Sequence, residues 1–433
     1  MNRTVQPGPR TGTAEIPASK SRAHRLLICA ALSGEKRTLR CQGLSQDILA
    51  TVSCLNGMGS RITCRENRID IAAGRTEPKA DTELRCGESG STLRFLLPVV
   101  GALGLRGSFF LEGRLPQRPL QPLWDLLCDR GMQLELKERR LFFSGRLQPG
   151  DFAIPGNVSS QYISGLLFAL PLLEGESRLT VTGETESADY IAMTEEALAQ
   201  FGVPAEKERN VYRIGAGGYR HPPEGLPDVM EVEADWSSAA FFLALGALSP
   251  EGVTVSGMNL HSRQGDRRIL PLLERFGAKA EVGENRITVR GGALRGQEID
   301  ASAIPDLVPV LATVAAAARG RTEIRHAERL RLKESDRLKT TTAMLGALGA
   351  DIRETEDGLI IDGREGLRGG TVSSFRDHRI AMSAAVAASV CSGAVTVLDA
   401  ECTDKSFPFF WERFQTLRLT GRRAGDAGDA RDR

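Results

Sequence analysis

The chain has 433 residues, of which 41% are hydrophobic and 26% charged, values typical of a soluble globular protein with two domains or more. Lysine and arginine number 56 against 55 aspartates and glutamates, which gives a formal net charge of +1. A nucleic-acid coat or a membrane-surface binder would need a basic excess, so both are excluded and any anion site must be local.

The N-terminal segment, residues 1–16, is polar and rich in proline and glycine. It holds no apolar stretch long enough for a signal peptide, so we expect a cytoplasmic protein without a membrane partner. The eight cysteines include no C-x-x-C pair, and the five histidines are scattered. This pattern favours reduced thiols over a disulfide framework or a zinc site.

A repeated unit organises the chain. Clusters of small or polar residues, each followed by an apolar Ala/Leu-rich helical pattern, begin at residues 19, 89, 159, 235, 305 and 377. The first five units also contain a second helical pattern, then glycine and two short strands. The unit is therefore predicted as β-α-β-α-β-β. Six such units, three to a domain, predict two similar α/β domains.

The first helix of each unit is apolar nearly all round, which predicts a position inside a domain. Each helix start carries Ser, Thr or Asp, residues that cap free backbone N–H groups, and in a single unit ordinary capping explains them. The repeat, however, should direct several helix starts at one surface. Their partial positive charges would together form an anion site.

Cations accompany these helix starts where capping needs none. They are Lys20 with Arg25, Arg94, Arg118, Lys333, Arg337, Arg379 after His378, and Lys405. The planar fork of arginine suits phosphate and carboxylate, and lysine supplies a compact charge. The arrangement predicts a site for small, multiply charged anions.

Two carboxylates, Asp306 and Glu334, lie among the cations. They act either as structural counter-ions or as proton-transfer groups in a cleft. Glu334 belongs to a segment, residues 329–339, with five cations and two carboxylates, for which a surface helix with salt bridges is the alternative interpretation. Asp336 is interpreted as a structural partner of the nearby arginines.

Eight short blocks, in order along nearly the whole chain, resemble the 5-enolpyruvylshikimate-3-phosphate (EPSP) synthase family. The blocks are residues 20–25, 87–94, 118–119, 159–161, 304–306, 333–337, 377–379 and 405–408. The resemblance implies two inside-out α/β domains of three repeats each, joined by two chain crossings near residues 14–18 and 232–236. The first domain would span 15–233 and the second 1–14 with 234–421, followed by a polar tail, 422–433, expected to be disordered.

The resemblance also implies the activity. The family transfers the enolpyruvyl group of phosphoenolpyruvate to the 5-hydroxyl of shikimate 3-phosphate and releases phosphate, by addition and then elimination through a tetrahedral intermediate. This is a step of the shikimate pathway towards chorismate and the aromatic amino acids, and the target of glyphosate. It implies a monomer that needs no cofactor or metal and whose partners are two small-molecule substrates.

Site residues are carried over by position. For shikimate 3-phosphate they are Lys20, Ser21, Arg25, Ser159, Ser160, Gln161, Ser187, Tyr190, Asp306 and Lys333. For phosphoenolpyruvate they are Lys20, Gly90, Arg118, Gln161, Glu334, Arg337, His378, Arg379 and Lys405. Proton transfer is assigned to Glu334 at carbon and to Asp306 at the 5-hydroxyl, with Lys20 as a partner in either step.

The chain departs from the family pattern at three positions: Glu88 and Arg329 stand where Asn is common, and Ser91 replaces Thr. Glu88 adds negative charge beside the phosphoenolpyruvate site, while Gly90 leaves room for glyphosate, so some sensitivity is expected. Two alternative functions are open at this point. A UDP-N-acetylglucosamine enolpyruvyl transferase would have Lys-Asn near its start and a cysteine near Arg118, and a non-catalytic sensor would not need the proton-transfer set.

Overall fold

A computed structural model describes residues 1–74, 81–203, 205–220 and 223–420, so the tail predicted to be disordered lies outside the described residues. The elements up to residue 231 are β1 (Arg3–Val5), β2 (Arg10–Glu15), α1 (Lys20–Ser33), β3 (Arg37–Arg40), α2 (Gln46–Gly57), β4 (Ile62–Arg65), β5 (Arg68–Ile71), β6 (Thr82–Gly87), α3 (Gly90–Ala102), β7 (Gly107–Leu111), α4 (Leu123–Asp129), β8 (Met132–Lys137), β9 (Arg140–Gly145), β10 (Asp151–Pro155), α5 (Ser160–Ala169), β11 (Ser177–Thr182), α6 (Ala188–Gln200), β12 (Glu206–Glu208), β13 (Val211–Ile214) and β14 (Val229–Glu231).

The elements that follow are α7 (Trp236–Ala247), β15 (Val253–Ser256), α8 (Ile269–Phe276), β16 (Lys279–Val282), β17 (Arg286–Arg290), β18 (Glu298–Asp300), α9 (Val308–Ala317), β19 (Gly320–Arg325), α10 (Arg337–Ala347), β20 (Asp351–Glu354), β21 (Leu359–Gly363), β22 (Gly370–Ser373), α11 (His378–Ala387), β23 (Val395–Leu398), α12 (Phe410–Thr416) and β24 (Arg418–Leu419). Short 3-10 turns connect several of them.

The strands form six sheets within the described residues, one for each repeat. In the second repeat, for example, β6 runs parallel to β7, β7 is antiparallel to β9, and β9 is antiparallel to β8. Helix α3 connects the parallel pair, and α4 precedes the hairpin. The predicted β-α-β-α-β-β unit and the α/β fold class are therefore confirmed.

Two repeats are completed by strands from distant parts of the chain. Strand β2, near the N-terminus, pairs in parallel with β15 and completes the fourth repeat. Strand β14, at the end of the third repeat, returns to pair in parallel with β3 of the first. The sixth repeat has no hairpin of its own in the described residues, and β1 pairs with its strand β23 instead.

The first helix of each repeat lies inside, as its apolar surface predicts. Every residue of α7 except Ser237 is buried, and every residue of α9 except Ala317. These helices pack against one another, α3 on α5 and α9 on α11, with the sheets outside. One core gathers buried apolar residues from Ala18 to Val232, and the second gathers those from Ala234 to Leu417 with three from the N-terminus. We call the two bodies the first and the second domain.

The two chain crossings lie side by side. Ala18 forms a bridge with Ala234, and the amide of Asp235 donates to the carbonyl of Pro17 at 2.9 Å. Strand β2 continues to Glu15, and Ile16 packs in the second core. We therefore propose that the first crossing is at Pro17 and Ala18, slightly later than the predicted bound at residue 15. The bounds given from the resemblance stay a prediction.

Five of the six inner helices are capped as predicted. The capping side chains, each accepting a bond from a backbone N–H of the first turn, are Ser19, Ser89, Ser159, Asp235 and Asp377. The expectation that Asp306 caps the remaining helix was wrong. It lies in a 3-10 turn, Pro305–Leu307, before α9, and its carboxylate binds arginines instead of capping the helix.

Candidate active site

The starts of all six inner helices line one cleft between the domains, so the predicted convergence of helix starts is present. Sixteen of the seventeen residues carried over from the resemblance line the cleft. They are Lys20, Ser21, Arg25, Gly90, Arg118, Ser159, Ser160, Gln161, Ser187, Tyr190, Asp306, Lys333, Glu334, Arg337, His378 and Arg379. Lys405 lines an adjoining cavity instead, which shares Asp47 with the cleft.

Arg337 is the centre of the charged cluster. Its Nη1 lies 2.7 Å from Asp306 Oδ1, its Nη2 2.8 Å from Glu334 Oε2 and its Nε 2.8 Å from Asp377 Oδ2. Its side chain is only 2% exposed. The alternative of a surface helix over residues 329–339 is therefore wrong, because α10 begins only at Arg337 and presents this residue to the interior. Asp336 caps α10 and contacts Arg331 at 3.2 Å, which confirms its structural role.

The cluster keeps both candidate carboxylates ionised. Burial alone would raise the pKa of Asp306, but the charges of Arg379, Lys333 and Arg337 hold it below its ordinary value. Burial acts in the same sense on Glu334, and Arg337, Lys405 and Arg118 hold its pKa well below the ordinary value. Both groups are therefore ionised at pH 7.

Lys333 and Arg379 complete the environment of Asp306. Arg379 Nη2 donates to Asp306 Oδ2 at 2.9 Å, and Lys333 Nζ lies 4.0 Å from Oδ1. Burial lowers the pKa of Lys333 to about 8, since the attraction of Asp306 offsets only part of the desolvation. His378 is also buried, and burial lowers its pKa to about 3, so its ring is neutral at pH 7.

Cations from the first domain form the opposite wall. Arg118 Nη1 lies 3.6 Å from Glu334 Oε1, and Arg94 Nη1 donates to Gln161 Oε1 at 3.3 Å. A Cβ added to Gly90 would lie 2.5 Å from Arg94 Nη1 and 2.8 Å from Arg118 Nη1. Arg94 was recognised as a cation at a helix start but was not assigned to a substrate. The cleft places it beside Gly90, where it faces the same space as Arg118.

Lys20 is held by a carboxylate that the sequence analysis missed. Its Nζ lies 2.9 Å from Oδ2 of the buried Asp47. Burial lowers the pKa of Lys20, but Asp47 and Glu334 more than offset this and the net shift is upward. Asp47 lies in α2, one residue after the helix start, where an acidic residue is ordinary. No sequence signal distinguished it.

The other end of the cleft is rich in hydroxyl groups and is anchored by Arg25. This arginine is buried and donates to Thr194 Oγ1 at 2.8 Å and to the carbonyl oxygens of Ser21 at 2.7 Å and Tyr190 at 2.6 Å. Ser187 lies at the start of α6, and the hydroxyls of Ser159 and Ser160 lie at the start of α5. The cleft thus has two ends that meet at Asp306. We call the part around Arg118 and Arg337 the cationic end, and the part at the starts of α5 and α6 the hydroxyl-rich end.

Comparison with known proteins decides the family. A family model described as EPSP synthase (3-phosphoshikimate 1-carboxyvinyltransferase) matches residues 5–414. The chain belongs to the EPSP synthase family. It is 40% identical to the 3-phosphoshikimate 1-carboxyvinyltransferase of Clostridium kluyveri over 416 residues, 96% of each chain. It is 38% identical to that of Clostridium beijerinckii over 428 residues, 96% of this chain and 97% of the relative.

Solved structures agree with this assignment. An EPSP synthase from Acinetobacter baumannii, 26% identical, covers 97% of this chain and 100% of its own, with a TM-score of 0.77. The resemblance inferred from the eight sequence blocks, the two-domain inside-out fold and the membership of the EPSP synthase family are therefore confirmed.

Three further features concern metal binding, the cysteines and membrane insertion. Among the residues that the structure describes, no group of three or more His, Cys, Asp or Glu side chains is arranged to hold a metal ion. All eight cysteines are free thiols. Within the same described ranges, no helix is long and apolar enough to cross a bilayer.

Proposed function

We propose that the cleft performs the reaction of the EPSP synthase family with the residues that line it. The reaction is transfer of the enolpyruvyl group of phosphoenolpyruvate to the 5-hydroxyl of shikimate 3-phosphate, with release of phosphate. The observation that carries this proposal is the pairing of Asp306 and Glu334 on one buried arginine, at the junction of the cationic and the hydroxyl-rich ends.

The two ends suit the two substrates. Phosphoenolpyruvate carries a phosphate and a carboxylate, for which Arg118, Arg337, Arg379 and Lys405 provide forked or compact positive charge. Lys20, Gly90, Gln161 and His378 belong to the same proposed site. Shikimate 3-phosphate is a hydroxylated ring with a phosphate and a carboxylate. We assign to it Ser21, Arg25, Ser159, Ser160, Ser187, Tyr190, Asp306 and Lys333, with Lys20 and Gln161 shared between the two substrates.

The proposed chemistry follows from the protonation states. In the addition step, the methylene carbon of phosphoenolpyruvate gains a proton and the 5-hydroxyl oxygen attacks the neighbouring carbon as its own proton leaves. Asp306, which is ionised, accepts the hydroxyl proton. In the elimination step the methyl group loses a proton and the phosphate departs.

Glu334 is the proposed group at carbon. It is ionised because Arg337, Lys405 and Arg118 surround it. The anionic groups of phosphoenolpyruvate compete for these same cations, which raises the pKa of Glu334 and lets it carry the proton to carbon. Lys20, protonated and bound to Asp47, is the partner in either step. Closed domains exclude water from the cationic intermediate.

The test is phosphate release from phosphoenolpyruvate without added metal, with shikimate 3-phosphate in one reaction and UDP-N-acetylglucosamine in another. Release only in the first is expected, and release only in the second would overturn the proposal. Asp306→Asn and Glu334→Gln should each lower kcat at least about 100-fold. Asp362→Asn, which breaks an exposed ion pair with Arg321 on the outer sheet, is the matched control and should retain activity.

We also propose that the enzyme acts as a monomer in the cytoplasm. One chain supplies both walls of the cleft, so no second copy is needed to complete it. Eight free thiols suit a reducing compartment. Sedimentation of the purified protein at micromolar concentration tests the monomer, and a dimer would contradict it.

A further inference from the structure

The start of α6, at the hydroxyl-rich end of the cleft, is contacted from the second domain by Arg329. The Nε of this arginine forms an ion pair with Glu186, and its Nη2 donates to Ser187 Oγ at 3.2 Å and to the carbonyl of Ser302 at 2.6 Å. The side chains of Arg329 and Glu186 are 15% and 21% exposed. One guanidinium therefore connects two successive residues of the first domain to the backbone of the second.

A second ion pair joins the domains beside the first. Arg268 of the second domain binds Asp189, three residues after Glu186. Asp189 also lies close to the backbone of the second domain at Gly265, where an added Cβ would be 2.9 Å from Asp189 Oδ2. Both contacts involve the short segment 186–189 of the first domain. These two ion pairs hold the segment against the second domain.

Ser187 lies between the two ion pairs in a conformation that serine rarely adopts. Its φ is 53° and its ψ is 40°, in the left-handed region, and its side chain makes no capping bond to α6. Such a conformation persists when neighbouring contacts impose it. Arg329 binds both Glu186, the residue before Ser187, and the Ser187 hydroxyl itself. These contacts therefore fix where the hydroxyl lies in the cleft.

We propose that Arg329 is a positioning residue for shikimate 3-phosphate. Through Glu186 and Ser187 it holds the start of α6 against the second domain, so that domain closure places the Ser187 hydroxyl for the substrate. The inference rests on the proposed function, in which Ser187 binds shikimate 3-phosphate. An asparagine at this position would have neither the charge nor the length to make the same three contacts.

The proposal predicts different effects on the KM values of the two substrates. Loss of the contact affects the hydroxyl-rich end and leaves the phosphoenolpyruvate cations in place. We expect Arg329→Gln to raise KM for shikimate 3-phosphate about five- to tenfold, the range for a partly buried ion pair, with KM for phosphoenolpyruvate within about twofold of wild type. Added salt should weaken shikimate 3-phosphate binding more in wild type than in the variant.

A double-mutant cycle tests whether the ion pair is responsible. Glu186→Gln alone should also raise KM for shikimate 3-phosphate. The double variant, Glu186→Gln with Arg329→Gln, should have the same KM as Arg329→Gln, because the second change removes a group whose partner is already absent. Glu196→Gln is the matched control. It removes a carboxylate from the same helix α6 that pairs with Arg22 inside the first domain, at 2.9 Å.

The outcomes discriminate between the two proposals. An active wild type with unchanged shikimate 3-phosphate KM in Arg329→Gln, or equal increases in both KM values, overturns the positioning role alone. An increase in Glu196→Gln equal to that in Glu186→Gln also overturns it. A wild type that releases no phosphate with shikimate 3-phosphate overturns the proposed function itself. Thermal unfolding of each variant shows whether it folds, and Glu186→Gln carries the test if Arg329→Gln does not.

Discussion

Arg337 and Asp377 form a fully buried ion pair, with Nε 2.8 Å from Oδ2 and Nη2 3.3 Å from Oδ1. Asp377 also accepts from Ser335 Oγ at 3.0 Å and from the amide of Arg379 at 3.0 Å. The Nε and Nη2 edge of the guanidinium thus binds Asp377, while Nη1 donates to Asp306 and Nη2 donates also to Glu334. Substrate anions meet an arginine that is already oriented.

Replacing Arg337 should therefore cost stability as well as activity. Arg337→Gln leaves Asp377 as a buried carboxylate without a charged partner, and we expect the free energy of unfolding to fall by about 3–5 kcal/mol. Urea unfolding measures this. Adding Asp377→Asn to the variant should recover part of the loss, and equal stability of Arg337→Gln and wild type would contradict the account.

Lys333 predicts an alkaline limit to activity. Its pKa is about 8, so it is protonated below that pH and neutral above it. Because a neutral amine attracts the substrate phosphate less, kcat/KM for shikimate 3-phosphate should fall as pH rises through about 8. Arginine stays protonated throughout this range, so Lys333→Arg should lack this limb. The same limb in both proteins would assign it to another group.

Gly90 sets the space available to phosphoenolpyruvate. The Cβ of Gly90→Ala would contact the ends of Arg94 and Arg118, which are flexible enough to move without unfolding the domain. The displaced cations should raise KM for phosphoenolpyruvate, and the inhibition constant of glyphosate, about tenfold, with KM for shikimate 3-phosphate little changed. Gly346→Ala, in a helix where the added Cβ meets open space, is the control and should leave both constants unchanged.

The repeat and the residue blocks were sufficient to predict the architecture and most of the cleft. Periodic apolar helices and their small polar caps follow from local rules, and these rules place the helix starts together. Asp47, Arg94 and the contact between Arg329 and Glu186 could not be assigned in the same way. Their roles depend on which side chains meet across α1, α2 and the two domains, and one sequence carries no signal for such pairs. At Asp306 a local rule gives the wrong answer. The sequence pattern predicts a helix cap, but the carboxylate binds Arg337 and Arg379 instead.

Glu88 provides a test of how charge around the cationic end sets affinity. Lys405 Nζ lies 3.5 Å from Glu88 Oε2 and 3.6 Å from Glu334 Oε1, and it donates to the Glu88 carbonyl at 3.1 Å. The lysine is thus shared between two carboxylates from different domains. The Glu88 side chain is 41% exposed, so water screens part of its charge.

Glu88→Gln keeps the backbone contact and removes the competing charge. We expect KM for phosphoenolpyruvate and the inhibition constant of glyphosate to fall about two- to threefold, because Lys405 becomes more available to an anion. KM for shikimate 3-phosphate should not change, because Glu88 lines the adjoining cavity and not the cleft that contains the hydroxyl-rich end. Glu112→Gln alters another carboxylate of the same small cavity and is the matched control. If both variants change the phosphoenolpyruvate constants equally, the effect comes from net charge of the cavity and not from competition for Lys405.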